Sequence, residues 1–315
     1  MTQIIRAIGY GGPENLALQQ VDLPAPGAGE VRIAVRAAGV NPADVKSYSG
    51  VWGTDPDALP KDLGFEVAGT VVAIGDDAVG PTGPIRVGDE VIAFRISAGY
   101  AEEVVVPATS VVAKPAGLGW PEAGGLMLTG ATAAHALVAT AVGAGDTVLV
   151  HGGAGGVGLM AIQLAAVRGA RVIATAGPRN HALLSGFGAE PVTYGDGLLE
   201  RVRELAPGGV DAALDLVGTD EALDTSLALV TDRSRIATIA NFGRGPAAGI
   251  QVLGGGPGAD AGEEIRAAAR TELATLAGDG RLKVLVGRTF ALAEARAAHE
   301  HVGSGHATGK VVLLP

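Results

Sequence analysis

The sequence predicts an α/β protein in which a β-rich domain accompanies a doubly wound domain with a parallel sheet. The first third of the chain alternates short apolar runs with clusters of turn residues. The middle alternates strand-like and helix-like segments, and a glycine-rich turn joins its first strand to the helix that follows. A chain of 315 residues is long enough to bury two hydrophobic cores.

Composition narrows the class of protein. The sequence is 48% hydrophobic and 18% charged, which is typical of a globular protein, and no apolar run approaches the ~20 residues of a membrane helix. The 23 basic and 33 acidic residues give a net charge of −10 without a long basic run, which argues against a nucleic-acid surface. Because the first residues enter a strand-like pattern without a signal-peptide pattern, we expect a cytoplasmic protein.

The first third predicts a β-rich domain. Its apolar runs cover Val31–Val35, Glu66–Ile74, Glu90–Phe94 and Glu102–Val106. From Trp120 onward the spacing becomes helical, and strands then alternate with helices. The predicted order is helix Gly130–Ala141, strand Thr147–His151, helix Val157–Arg168, strand Arg171–Thr175, helix Asn180–Phe187, strand Ala212–Leu216, helix Thr219–Val230 and strand Arg235–Ile239. That order predicts a parallel sheet with right-handed crossovers.

The C-terminal segment is too short to form a third domain. We predict strand Lys283–Val286, helix Ala293–His301 and strand Lys310–Leu314. These elements are expected to fold back onto the N-terminal β domain. The expected domains are therefore residues 1–117 with 279–315, and residues 118–278, with a cleft between them.

The glycine-rich turn Gly152–Gly158 predicts a dinucleotide site. It contains GxGxxG at Gly153, Gly155 and Gly158, directly after an apolar strand and directly before a helix. Such a turn brings its backbone close to a pyrophosphate, and the helix offers free N–H groups to the anion. We therefore expect Gly153, Ala154, Gly155, Gly156, Val157 and Gly158 to contact the cofactor. A plain glycine turn in a chain with 50 glycines is the alternative.

The end of the second strand favours NADPH over NADH. Sites for NAD place an acidic residue about 20 residues beyond the turn, where it holds the ribose 2′-hydroxyl. No acidic residue occurs between Gly158 and Glu190. We instead assign Thr175 and Arg179 to the site, because an arginine can bind a 2′-phosphate. The alternative for Arg179 is a solvated surface side chain.

A series of segments resembles one known family over nearly the whole chain. These segments are AGVNPADVKSYSG (38–50), GFEVAGTV (64–71), GYAEEVVVP (99–107), LTGATAAHAL (128–137), HGGAGGVG (151–158), DLVG (215–218) and TGKVVL (308–313). They resemble the medium-chain dehydrogenase/reductase superfamily, in its zinc-free quinone oxidoreductase branch that includes zeta-crystallin. The resemblance implies a GroES-like β domain, a Rossmann domain and a homodimer.

The same resemblance bears on metal binding. Zinc-dependent relatives carry a ligand histidine in a GHE motif, and this chain has GFE there, with Phe65 at the ligand position. The chain also contains no cysteine, which excludes disulfides, thiolate nucleophiles and zinc sites built on sulfur. We therefore expect no zinc. Three histidines near the C-terminus, His299, His301 and His306, are interpreted as a surface helix end.

The resemblance also implies roles for individual residues. Asn41 would lie near the nicotinamide, Asp44 would brace the loop, and Trp52 would form an aromatic wall. Lys46 or Tyr48 would donate a proton or a hydrogen bond, and the two assignments remain open. The remaining expected cofactor contacts are Thr129 beside the nicotinamide, Gly177 and Tyr194 at the adenosine phosphate, Val217, and Asn241, Phe242 and Gly243 in the loop 241–244 under the nicotinamide ribose. For Tyr48 and Tyr194 a partly buried aromatic is an equal alternative.

The chemistry is expected to come from the cofactor. The sequence has no Ser/His/Asp triad in a nucleophile elbow and no thiol, so hydride transfer is the natural reaction. We expect NADPH to reduce a small hydrophobic quinone or α,β-unsaturated carbonyl, because such acceptors are already electrophilic without a metal. An enoyl-thioester reductase of the same superfamily, or a cofactor-binding regulatory or structural protein with little turnover, is the alternative.

Overall fold

The computed structural model describes residues 1–256 and 258–315, and it divides into two compact units. Unit one comprises Met1–Leu128 and Arg270–Pro315, and unit two comprises Thr129–Ala269. Both divisions lie about ten residues from those expected from the sequence, at 117/118 and 278/279.

Strands and helices are numbered in chain order. The strands are β1 (Thr2–Ala7), β2 (Leu16–Val21), β3 (Glu30–Val40), β4 (Lys61–Asp62), β5 (Glu66–Ile74), β6 (Val79–Gly80), β7 (Gly83–Pro84), β8 (Glu90–Phe94), β9 (Glu103–Pro107), β10 (Val111–Ala113), β11 (Thr147–His151), β12 (Arg171–Thr175), β13 (Glu190–Val192), β14 (Ala212–Asp215), β15 (Ile236–Thr238), β16 (Gln251–Val252), β17 (Val286–Ala291) and β18 (Lys310–Leu314). The helices are α1 (Pro42–Ser49), α2 (Trp120–Gly124), α3 (Met127–Ala139), α4 (Gly156–Val167), α5 (His181–Gly186), α6 (Leu198–Leu205), α7 (Asp220–Leu229), α8 (Glu263–Gly278) and α9 (Ala295–Gly303).

A mixed sheet forms the centre of unit one. Its order is β10-β8-β5-β3-β18-β17, and β9 also pairs with β3. Val31, Ile33 and Val35 alternate along β3 and are buried, as expected for a strand with one face on a core. The end of β3 pairs with β18, with Val40 opposite Val311, so the C-terminal strands complete the sheet of the N-terminal unit.

A six-stranded parallel sheet forms the centre of unit two. Its order is β13-β12-β11-β14-β15-β16, so successive strands build outward from β11 on one side and then from β14 on the other. The order reverses between β11 and β14, where His151 lies opposite Asp215 at the carboxyl ends. Ligands of doubly wound sheets bind at such a reversal. The predicted fold class is confirmed in both units.

Two sequence-based expectations for the C-terminal half need correction, and one helix was missed. The strand predicted at Lys283–Val286 begins at Val286 and runs to Ala291. It is an edge strand whose side chains are mostly exposed, so it lacks the apolar pattern that marks a buried strand. Helix α8 was not predicted. His299 is buried in α9, so its assignment to a surface helix end was wrong, whereas His306 is exposed.

No helix in the described part of the chain is both long and apolar enough to cross a membrane.

Candidate functional site

The glycine turn in unit two is held by the neighbouring strand. The backbone N–H of Gly152 donates to the Thr175 hydroxyl at 3.0 Å, and that of Gly153 donates to the Thr175 carbonyl at 2.9 Å. Gly152 has a φ of +80°, a conformation that side chains disfavour. Thr175 therefore acts on the turn itself, which fixes the path of the chain from β11 into α4.

The three motif glycines have different surroundings. A Cβ at Gly153 would lie 2.8 Å from the Ala174 Cβ, and a Cβ at Gly158 would lie 2.3 Å from the Gly152 carbonyl oxygen. These two positions are closed by the protein. At Gly155 the nearest atom would be the Gly152 carbonyl oxygen at 3.4 Å, an ordinary van der Waals contact, and the residue is partly exposed. The fit matches a turn in which two glycines serve packing and one allows a ligand to approach the backbone.

Helix α4 begins at this turn with its N-terminus uncapped by a side chain. Gly155 is the N-cap residue and, as a glycine, has no side chain to accept a hydrogen bond from the first turn. Ala154, Gly156 and Val157 are partly accessible. Free N–H groups and the helix dipole together favour an anion at this point. The residues present therefore fit the pyrophosphate of a dinucleotide.

The end of β12 brings together three of the predicted cofactor residues. A Cβ at Gly177 would lie 3.8 Å from the Tyr194 hydroxyl, and the Tyr194 side chain is 58% exposed. Arg179 lies two residues beyond Gly177, is exposed, and has no hydrogen bond or ion pair within residues 1–256 and 258–315. An exposed guanidinium at the carboxyl end of a strand in the parallel sheet suits a phosphate group.

Arg201 of α6 holds the loop that carries Tyr194. Its guanidinium donates to the carbonyl oxygens of Thr193, Gly195 and Asp196, at distances from 2.7 to 3.1 Å. These bonds fix the backbone on both sides of Tyr194. Arg201 carries no local sequence signal for this role, because its partners are backbone carbonyl groups.

The carboxyl end of β14 forms the other side of the reversal point. Asp215 is buried and accepts hydrogen bonds from the backbone N–H groups of Val217 and Gly218 and from the Thr238 hydroxyl. The Thr238 hydroxyl in turn accepts from the backbone N–H of Asn241 at 2.9 Å. The Val217 side chain is 47% exposed, and a Cβ at Gly152 would lie 2.6 Å from its Cγ1.

Buried hydrogen bonds also shape the loop after β15. The Asn241 side chain accepts from the Arg244 backbone N–H at 3.0 Å, so its amide oxygen serves the loop. Phe242 is partly exposed and Gly243 is exposed. The Arg244 side chain pairs at 2.7 Å with both Asp220 and Asp224 of α7. Thr129, by contrast, is a buried residue of α3.

In unit one the buried ion pair between Lys310 and Glu66 contacts the Asn41 side chain. The Lys310 ammonium lies 2.9 Å from Oε1 of Glu66 and 2.5 Å from Oδ1 of Asn41. The Asn41 amide group donates to Glu66 at 3.2 Å and to the Gly39 carbonyl at 3.3 Å. Asn41 is 1% exposed, so its amide makes its contacts within the protein. Sequence reasoning found Asn41 but not Glu66 or Lys310.

A second buried network runs through the core of unit one. The Tyr48 hydroxyl bonds Nδ1 of His299 at 2.8 Å, and Nε2 of His299 bonds the Tyr100 hydroxyl at 3.2 Å. Tyr100 is hydrogen-bonded to Asp44. Asp44 accepts from the backbone N–H groups of Asn41 and Gly64. The brace expected at Asp44 is thus present at the start of α1.

Burial shifts the titration of these groups. Loss of solvent raises the pKa of Asp44 to about 7, against the opposing effect of its backbone donors. Burial lowers the pKa of His299 to about 4 and raises the pKa of both Tyr48 and Tyr100. The Tyr48 hydroxyl is fully buried and already bonded to His299, so we do not place it among the substrate contacts.

Lys46 and Trp52 are the remaining residues expected near a substrate. Both are partly exposed, and burial lowers the pKa of the Lys46 ammonium. Trp52 lies in the loop after α1, where the Tyr10 hydroxyl bonds both the N–H and the carbonyl of Asp55 at 3.0 Å. Tyr10 therefore holds this loop to the N-terminal part of the unit.

The described residues contain no group of three or more histidine, aspartate or glutamate side chains placed to hold a metal ion. Phe65 is partly exposed, and its carbonyl accepts from the N–H groups of Arg95 and Ile96. The adjacent Glu66 carboxylate is paired with Lys310.

The fold and the glycine turn define a two-unit dinucleotide-binding protein of the dehydrogenase type. Residues 27–141 match the family described as alcohol dehydrogenase GroES-like domain, and residues 187–313 match the family described as zinc-binding dehydrogenase. The quinone oxidoreductase of Pseudomonas aeruginosa is 34% identical, with 100% of each chain covered. The protein therefore belongs to the medium-chain dehydrogenase/reductase superfamily, in its quinone oxidoreductase branch.

Solved structures agree with this assignment. Escherichia coli quinone oxidoreductase complexed with NADPH is 28% identical, with a TM-score of 0.85 and 100% of each chain covered. CurK enoyl reductase is also 28% identical, with a TM-score of 0.86 and 99% of each chain covered.

Proposed function

We propose that this protein is an NADPH-dependent oxidoreductase that reduces a quinone or an α,β-unsaturated carbonyl without a metal. The observation that carries the proposal is the glycine turn at the reversal point of the parallel sheet, where Gly155 is partly exposed. The NADPH complex of a similar quinone oxidoreductase supports it. In this proposal unit two binds the cofactor and unit one holds the acceptor.

Unit two supplies the cofactor contacts. The N-terminus of α4 would bind the pyrophosphate through backbone N–H groups, and Thr175 would keep the turn in place. Arg179 and Tyr194 would bind the 2′-phosphate, which is the group that separates NADPH from NADH. When bound, NADPH supplies a hydride, and the acceptor takes up that hydride together with one proton.

Unit one would supply positioning and a proton or hydrogen bond. Of the two donors expected from the sequence, Lys46 is the one we retain, because its side chain is partly exposed and burial lowers the pKa of its ammonium. Trp52 would form an apolar wall against the acceptor. Quinones and enones are electrophilic without a Lewis acid. The phenylalanine at position 65 and the absence of cysteine support a reaction without zinc.

The acceptor class is tested by measuring NADPH oxidation with a panel of quinones, alkenals and enoyl thioesters. Turnover with quinones or alkenals supports the proposal. Turnover with enoyl thioesters alone would favour the second candidate, an enoyl-thioester reductase, which the similarity to CurK enoyl reductase supports. Tight NADPH binding without oxidation by any acceptor would contradict both and favour a cofactor-binding regulatory or structural protein.

The cofactor preference is tested by replacing Arg179 with Met. We expect the Kd for NADPH to rise about tenfold while the Kd for NADH changes less than about twofold, because only NADPH carries the 2′-phosphate. Arg203→Met is the matched control, since Arg203 is an exposed arginine of α6 in the same unit. An equal loss of NADH and NADPH affinity would contradict the role of Arg179.

The resemblance to the family further leads us to propose a homodimer. Size-exclusion chromatography with light scattering tests it, and a monomer at micromolar concentration would contradict it.

A further inference from the structure

Lys310 is a buried cation at the start of the last strand of unit one. Its side chain is 3% exposed, and its ammonium group donates to Glu66, to Asn41 and, at 3.3 Å, to the Val40 carbonyl. An ammonium group loses its hydration when it is buried, so it is stable there only if several acceptors replace the lost water. For Lys310 the lost water is replaced by three acceptors, which are the oxygens of Glu66, Asn41 and Val40.

The arrangement fixes the orientation of the Asn41 side chain. An amide group has two N–H donors and one oxygen acceptor. Both donors are used, by Glu66 and by the Gly39 carbonyl, and the oxygen faces the Lys310 ammonium. A flipped amide would place its NH₂ group against the ammonium. Only the observed orientation is compatible with a charged Lys310.

The ion pair also joins separate segments of unit one. Glu66 lies at the start of β5, and its second oxygen accepts from the backbone N–H of Leu128 at 2.8 Å. Two glycines make room for the pair: a Cβ at Gly39 would lie 2.3 Å from Oε1 of Glu66, and a Cβ at Gly125 would lie 3.2 Å from Cε of Lys310. The close packing leaves this pair little freedom to move.

Asn41 is the N-cap residue of α1, the helix that carries Lys46 and leads into the loop with Trp52. We propose that Lys310 is a positioning residue of the reaction, which fixes α1 through Glu66 and the Asn41 amide and thereby places Lys46 and Trp52. This inference rests on the proposed function, in which those two residues face the acceptor. Asn41 itself then acts by orientation within the protein, rather than through a side-chain bond to the nicotinamide.

A double substitution separates positioning from simple ion pairing. Lys310→Met leaves the buried Glu66 carboxylate without its cation, so this variant is expected to be less stable than the native protein. Lys310→Met/Glu66→Gln removes both charges with little change in volume, and its stability should return toward the native value. Lys114→Met is the control, because Lys114 is a second ion-paired lysine of unit one, 2.8 Å from Glu90, whose ammonium also bonds the Pro115 carbonyl and lies over the Trp120 ring.

The expected result is a loss of kcat that stability does not restore. In the double variant kcat should be lower by about tenfold or more, while the Kd for NADPH changes less than about twofold, because small displacements at a reacting centre are costly. Lys114→Met should retain kcat within about twofold. Recovery of both stability and kcat in the double variant would overturn the proposal, because Lys310 would then be only a charge partner.

Hydrogen exchange gives a readout that does not depend on turnover. Peptides covering residues 41–53 should exchange about tenfold faster in the double variant than in the native protein, while peptides covering β11 and α4 should not change. Unchanged exchange in residues 41–53 would overturn the role of Lys310 even if activity is lost. If none of the acceptors tested supports NADPH oxidation by the native protein, the proposed function fails. The hydrogen-exchange result then decides by itself whether Lys310 fixes α1.

Discussion

The Tyr48 hydroxyl lies 2.8 Å from Nδ1 of His299, in the buried core of unit one. Tyr100 bonds both Nε2 of His299 and the Asp44 carboxyl. When Asp44 is charged it can only accept a hydrogen bond, and this fixes the donor and the acceptor in each of the three bonds. Tyr48 donates to His299, His299 donates to Tyr100, and Tyr100 donates to Asp44. This arrangement requires a neutral imidazole, in agreement with the lowered pKa of His299. The chain of bonds stabilises the packing of α1 against α9.

Replacing Tyr48 with Phe should reduce stability and leave the reaction unchanged. The variant leaves Nδ1 of His299 buried without a donor, which should lower the free energy of unfolding by about 1–3 kcal/mol. The values of kcat and KM should stay within about twofold, because the hydroxyl is not accessible to a substrate. Urea unfolding and steady-state kinetics test this. A fall in kcat at native stability would instead support Tyr48 as the proton donor.

Asp44 should make the stability of the protein depend on pH. Its pKa is about 7 in the folded chain and 3.8 without the fold, so the folded state holds a proton between those values that the unfolded state has lost. The contribution of Asp44 to stability is therefore complete below about pH 4 and is lost as the pH rises through about 7. The contributions of His299 and His151 to stability depend on pH in the opposite direction, because burial lowers the pKa of each from 6.5 to about 4. Their contributions are complete above the unfolded value and are lost as the pH falls toward about 4.

The effect of Asp44 is isolated by comparing the native protein with Asp44→Asn. The difference between their free energies of unfolding should fall as the pH rises from about 4 to about 7 and become constant above that range. Urea unfolding at several pH values measures it, and the histidine contributions cancel because both proteins contain them. A difference that does not vary with pH would show that the Asp44 carboxyl titrates in the folded state as it does in the unfolded chain.

The sequence was most informative where one periodic pattern determines an element. Strands β11, β12 and β18 begin and end at the predicted residues, because each is a short apolar run with clear turn residues at its ends. Strand β17 was predicted at the wrong place, because its exposed residues Gly287–Thr289 carry no apolar pattern. Pairing with β18 determines where this strand lies, and pairing between distant residues cannot be seen in local periodicity.

In the candidate site, too, contacts between residues distant in the sequence could not be predicted from local patterns. Asn41 and Asp44 were found by resemblance, but their partners Lys310, Tyr100 and His299 are distant in the sequence. A lysine at the start of the apolar run KVVLL was the available signal, since a buried lysine needs a partner. Its partner could not be named, because many carboxylates could meet it. The glycine turn was found directly, because strand, glycines and helix are adjacent in the sequence.

Replacing Arg201 with Met should weaken NADPH binding without any change to a group that contacts the cofactor. The guanidinium bonds carbonyl groups on both sides of Tyr194, and a methionine supplies no donor. The loop then becomes more mobile, and we expect the Kd for NADPH to rise about fivefold. Fluorescence titration measures it, with Arg203→Met of the same helix as control. An unchanged Kd together with faster hydrogen exchange of residues 193–197 would show that the loop does not contribute to binding.

Two glycine substitutions in the same turn should separate binding from folding. At Gly155 the backbone φ is −75°, which alanine adopts readily, and the nearest atom to a new Cβ would be 3.4 Å away. Gly155→Ala should therefore change the free energy of unfolding by less than about 1 kcal/mol. The added methyl group would lie on the partly exposed side of the turn, where the pyrophosphate is proposed to bind. We expect the Kd for NADPH to rise by tenfold or more, on the order of 1.4 kcal/mol.

At Gly158 a substitution should affect folding more directly than NADPH binding. A Cβ there would lie 2.3 Å from the Gly152 carbonyl oxygen, which is a backbone atom that cannot move without displacing the turn. Gly158→Ala should lower the free energy of unfolding by about 2 kcal/mol or more, and NADPH affinity should fall as a consequence of that displacement. Urea unfolding and fluorescence titration of both variants test the pair. If Gly155→Ala binds NADPH as the native protein does, the open face of the turn is not the place where the pyrophosphate binds.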